Sequence, residues 1–148
     1  MFTYDIQYGG EPYDNYEFMG QTDLDCFLSV VDNFPWIDEM EKANARPQGS
    51  SPTISLQNTT DKKEIWISMA GDRLNHGYLV GYSYLRSKKT WLGKIQSYYW
   101  LEIYLTEDML TIKHYLQLYF AGEYDVLHAK MKQLPLFKEL KAPSKNER

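Results

Sequence analysis

The sequence predicts an α+β domain in which helices pack against an antiparallel β-meander. Two observations lead there. After residues 46–52, RPQGSSP, the apolar period changes from helical to two. The strand-like runs then follow one another with only turns between them, while helical runs stand before and after them. The expected order is β-α-α-β-β-β-β-α-α.

Residues 2–8, FTYDIQY, alternate as a first strand that Gly9-Gly10 ends. An acidic aromatic loop follows. Thr22 with Asp25 is the expected N-cap pair for a helix whose Leu24, Phe27, Leu28 and Val31 share one side. Pro35 suits the first turn of a second helix, with Trp36, Ile37 and Met40 inward and Asp38, Glu39 and Glu41 outward.

In the meander, Ile54 and Leu56 alternate with polar residues, as do Ile65, Ile67 and Met69, and NTTDKK is the turn between these strands. YLVGYSYLR puts Tyr78, Val80, Tyr82 and Tyr84 on one face. KIQSYYWLEIYL puts Ile95, Tyr99, Leu101, Ile103 and Leu105 on one face and Tyr98, Trp100, Glu102 and Tyr104 on the other. Thr106 is the expected cap of a helix with Leu105, Met109, Ile112, Leu116, Tyr119 and Phe120 on its apolar stripe and Gly122 as its stop. A last helix buries Tyr124, Leu127, Met131 and Leu134 before Pro135. Residues 1–141 form the expected single domain, and 142–148 a frayed basic tail.

Charge is distributed unevenly. Ten acids and no Lys or Arg occur from Met1 to Glu41, whereas residues 130–148 carry six basic residues against two acids. The start MFTYDIQYGG lacks the basic and apolar runs of a secretory signal, and the single Cys26 has no internal disulfide partner. A cytoplasmic protein without a membrane span is expected.

Catalytic and metal-binding patterns are absent from the sequence. His76, His114 and His128 lack ligand-spaced neighbours, GYSYL lacks the second glycine of a nucleophile elbow, and no glycine-rich phosphate loop occurs. Cys26 reads as a buried inert thiol. The expectation is a protein that is not an enzyme and needs neither cofactor nor metal.

Two binding surfaces remain. One is EPYDNYEF, residues 11–18, where Glu11, Asp14 and Glu17 alternate with Tyr13, Tyr16 and Phe18; Asp38, Glu39 and Glu41 extend its acidity. Such a stretch is either a turn packed by its own rings or a surface for a cationic partner. The other is a nucleic-acid platform in which Tyr82, Tyr84 and Trp100 stack bases beside Arg86, Lys88, Lys89 and Lys94. The acidity of the body opposes it.

The segment YYWLEIYLTEDMLTIKHYLQLYFAGEYDVLHAKM resembles small bacterial immunity proteins of polymorphic toxin and contact-dependent growth inhibition systems. The resemblance is one of layout and composition and spans Ser55 to Met131. It implies a protein that binds and neutralises a cognate toxin, frequently a nuclease, in the cytoplasm. A nuclease presents cations to phosphates, so carboxylates in EPYDNYEF would meet those cations and its tyrosines would supply desolvated anchors.

Overall fold

The structure, a computed structural model, describes residues 1–142. Strands β1 (Phe2–Gln7) and β2 (Glu17–Gln21) precede helices α1 (Leu24–Asn33) and α2 (Trp36–Ala45). Strands β3 (Thr53–Asn58), β4 (Lys63–Gly71), β5 (His76–Lys89) and β6 (Ile95–Thr106) follow, then α3 (Met109–Phe120), α4 (Tyr124–Met131) and β7 (Leu136–Lys141). One antiparallel sheet holds all seven strands in the order β2-β1-β3-β4-β5-β6-β7. The α+β class and the four-strand meander are as expected.

The expected order omits two strands, β2 and β7, which form the two edges of the sheet. Their side chains are exposed on both faces almost throughout. An edge strand packed on neither face has no reason to alternate, so period-two patterning does not reveal it. The expected tail also begins too early. Ala142 is buried, and its N–H donates to the Tyr99 carbonyl; residues 143–148 of that tail lie outside the described residues.

Strand register determines which side is the core. Leu56 opposes Tyr4 and Ile65, Ile65 opposes Tyr82, and Tyr82 opposes Glu102, so these residues share one face. Every helix covers that face: Phe27 of α1 meets Tyr4, Trp36 of α2 meets Tyr78, Phe120 of α3 meets Phe2, and His128 of α4 meets Tyr82. The aromatic side of β6 is therefore the inner one. Leu101, Ile103 and Leu105 look the other way, beside Trp66, whose indole lies across Gly81.

Local signals are met with small shifts. Asp23, rather than Thr22, caps α1, accepting from the Cys26 N–H at 2.9 Å. Asp108, rather than Thr106, caps α3 by accepting from the Leu110 N–H. Both replacements are carboxylates at a positive helix end, where charge adds to the cap hydrogen bond. Gly122 stops α3 at φ +75°, with the Glu123 N–H returning to the Leu118 carbonyl.

Candidate functional site

EPYDNYEF is neither a self-packed turn nor a free loop. Its root is pinned at the end of β1, where Gly10 N–H donates to the Ser50 carbonyl and Ser50 N–H returns to Glu11. The Ser50 hydroxyl also donates to the Tyr8 and Glu11 carbonyls. From this root residues 11–16 run out to β2, and Tyr13, Tyr16 and Phe18 stand 65, 43 and 70% exposed. The rings do not cover the core.

Beside the loop lies a cleft of about 280 Å³ lined by Tyr8, Gly9, Glu11, Asn15, Glu17, Glu39 and Lys42. Glu39 was expected to point outward, yet it is only 4% exposed. Its carboxylate accepts the Gly9 N–H at 2.8 Å and the Lys42 ammonium at 2.7 Å. The cause is the close approach of α2 to the end of β1, which turns this position of the helix toward the strand rather than toward water. Lys42 is held above its ordinary lysine value by the Glu39 carboxylate. Three carboxylates against one cation leave the cleft with a formal charge of −2. Burial and the Glu17 carboxylate raise the Tyr8 phenol, so Tyr8 stays a neutral donor there.

Glu39→Ala removes the acceptor of a buried backbone N–H, and a lost charged hydrogen bond of this kind costs about 1.5–3 kcal/mol. Urea unfolding should show that loss, with Glu39→Gln losing less because its amide oxygen still reaches Gly9. Equal stability of Glu39→Ala and wild type would contradict the anchoring role.

The remaining acids separate into two groups. Glu11, Asp14 and Glu17 make no ion pair among the described residues, although Glu11 accepts a hydrogen bond from Asn15. Asp38 and Glu41 instead face Arg73, which forms a two-pronged bond to Glu41 at 2.8 and 2.9 Å and lies 3.7 Å from Asp38. The Arg73 guanidinium lowers the Glu41 carboxyl. One guanidinium answers half of their formal charge, that of Glu41 most directly, so the larger uncompensated acidity lies at the loop and cleft.

The aromatic platform is largely closed. Tyr82 is 2% exposed, and the His128 ring packs on both Tyr82 and Tyr84. Arg86 donates to the Tyr84 hydroxyl and lies 4.5 Å above the Trp100 ring, occupying the face on which a base would stack. Lys88 and Lys89 sit farther out at the end of β5, and Lys94 in the turn to β6.

Sequence patterning missed a buried polar group beneath this platform. Glu102, 4% exposed, bonds His128 Nε2 at 2.5 Å and accepts from the Tyr104 hydroxyl, tying α4 to the sheet. The one available signal was a glutamate between apolar residues on the strand face that register makes internal. Cys26 was also misjudged: it is exposed, because Phe27 and Val31 take the inward side of α1. The neighbouring Asp23 carboxylate pushes its thiol above the ordinary value, away from thiolate reactivity.

Comparison with family models, with curated proteins and with solved structures finds no match to this chain. Among the described residues no group of three or more His, Cys, Asp or Glu is placed to hold a metal ion, and no helix is long and apolar enough to cross a membrane.

Proposed function

We propose that this protein is a non-enzymatic binding protein that neutralises a basic protein toxin, in the manner of the immunity proteins its layout resembles. The toxin docks on the loop of residues 11–18 and the cleft behind it. One observation carries the reading: Glu11, Asp14 and Glu17, without an ion-pair partner among the described residues, stand beside exposed Tyr13, Tyr16 and Phe18 on a root held by Ser50 and Glu39. Carboxylates steer a cationic partner, aromatic rings supply contact area that charges lack, and a pinned root lowers the ordering cost of binding. The cytoplasm is where such a protein would meet its toxin.

The test looks for a toxin gene beside this one and pairs the protein with its toxin domain; the absence of such a gene would count against the reading. Reversing Glu11, Asp14 and Glu17 to Lys should leave the fold intact, slow association by about ten-fold or more and remove its salt sensitivity. Reversing Asp38 and Glu41 should matter less, since Arg73 already pairs with Glu41 and lies near Asp38. Full protection of co-expressing cells by the loop reversals, with unchanged salt dependence, would sink the assignment of this surface.

A further inference from the structure

The β5–β6 connection is an unexplained part of the fold. β4 pairs with β5 only as far as Ser83, and β7 with β6 only from Trp100 onward. Among the described residues, 86–89 and 95–98 therefore pair only with one another, as a two-stranded arm projecting past the described sheet. A bare two-stranded ribbon is marginal in water. This one is braced by Arg86 between the Tyr84 and Trp100 rings, and its turn is closed by Thr90 N–H to the Lys94 carbonyl at 2.7 Å and Gly93 N–H to the Thr90 carbonyl at 2.9 Å.

Among the described residues the braced tip packs against nothing. Trp91, Leu92 and Ile95 are 92, 64 and 73% exposed. Lys88, Lys89 and Lys94 surround them, with no carboxylate within ion-pair distance among the described residues. Exposed apolar side chains grouped on a preformed element mark a contact surface, and the cations around them specify an acidic partner that also offers apolar surface.

The chain itself carries such a surface. The loop of residues 11–18 has Glu11, Asp14 and Glu17, in no ion pair among the described residues, around exposed Tyr13, Tyr16 and Phe18. Arm and loop cannot meet within one molecule. β1 is antiparallel to β3, β3 to β4 and β4 to β5, so β1 and β5 run in opposite directions. The loop leaves the end of β1 and the arm is the end of β5, which puts them at opposite ends of the sheet.

We propose that the β5–β6 arm of one copy docks on the loop of residues 11–18 of a second copy, Lys88, Lys89 and Lys94 meeting Glu11, Asp14 and Glu17 while Trp91 and Leu92 pack on Tyr13, Tyr16 and Phe18. Two copies turned end for end make the contact twice, which closes a symmetric pair. The pair uses the loop that the proposed function gives to the toxin, so the two contacts compete for it; self-association is measured without toxin and is judged apart from that reading.

Sedimentation velocity of the full chain over a concentration series tests it. Wild type should associate at low salt, and high salt should weaken association by about ten-fold, as expected for exposed opposed charges. Trp91→Ser, a change at a fully solvated tip that leaves the fold unaffected, should weaken it as well. The decisive arm is a charge exchange. Lys88→Glu/Lys89→Glu/Lys94→Glu alone and Glu11→Lys/Asp14→Lys/Glu17→Lys alone should each be monomeric, since each then faces like charge, whereas their equimolar mixture should form a heterodimer. A monomeric wild type at the highest soluble concentration, or a mixture that stays monomeric, overturns the proposal. So does a tip that leaves wild-type self-association unchanged on Trp91→Ser yet is needed for co-sedimentation with phosphatidylserine vesicles, which would assign it to a lipid surface.

Discussion

Gly9→Ala should lower the unfolding free energy by about 3 kcal/mol or more, the upper end of what overpacking costs. A Cβ at this position would lie 1.8 Å from the Glu39 carbonyl oxygen and 2.7 Å from its carbon. Both are backbone atoms in the middle of α2, so no side chain can swing away; the helix must leave the strand or the strand must bend. Either movement also breaks the Gly9 N–H bond to the Glu39 carboxylate, which opens the acidic cleft. Gly20 is the control, because it sits at φ +95° with nothing within 4 Å of an added Cβ. Gly20→Ala costs only backbone strain, about 1–2 kcal/mol. Denaturant melts of the two variants measure the difference, and a Gly9→Ala chain as stable as Gly20→Ala would show that α2 does not press on β1 as closely as the structure has it.

Stability should fall steeply in alkali, beginning near the ordinary tyrosine pKa of about 10. Tyr82, Tyr104 and Tyr119 are 2, 3 and 0% exposed, and burial raises all three phenols. Tyr119 donates to the Lys63 carbonyl at 2.6 Å and accepts from the Asn58 N–H; Tyr104 donates to the Glu102 carboxylate. Ionised, each would place an unsolvated charge in the core, and Tyr104 would face a carboxylate. Because the folded values exceed the unfolded one, both states hold these protons below pH about 10 and stability does not depend on them. Above it the unfolded chain releases protons that the folded chain keeps, which costs about 1.4 kcal/mol per pH unit for each phenol, or about 4 kcal/mol for three. Tyr124, pushed up to about 12, adds to the same trend. Urea melts from pH about 9 to about 11, followed with tyrosinate absorbance, read both quantities. Tyr82→Phe should shallow the slope by about a quarter, one phenol of these four. Flat stability through that range, or phenolate absorbance equal to all thirteen tyrosines while the chain stays folded, would contradict the burial of these rings.

The α+β class, the two helix pairs and the central meander were legible in the amino-acid sequence because each of those elements packs one side against a core. Burial of a single side imposes period 3.6 on a helix and period two on a strand, and Phe27 with Val31, Ile65 with Ile67, and Ile112 with Leu116 carry those periods without reference to anything distant. Caps and stops were legible to within a residue or two for the same local reason. The edge strands β2 and β7 were not, since solvent on both sides selects no period. Nor was the covered side of β6, because its two faces are both apolar and only pairing of Tyr82 with Glu102 and of Val80 with Tyr104 sets which one the helices cover.

The binding surface divides in the same way. Acidity and exposed rings in residues 11–18 were visible as composition. What each carboxylate does was decided by residues far along the chain: Glu39 turns inward because Gly9 lets β1 touch α2, and Glu41 is neutralised by an arginine 32 positions away. Local sequence records which side chains can be charged or apolar. Solvation and pairing depend on what the fold brings within a few ångströms, and that is a property of the tertiary structure alone.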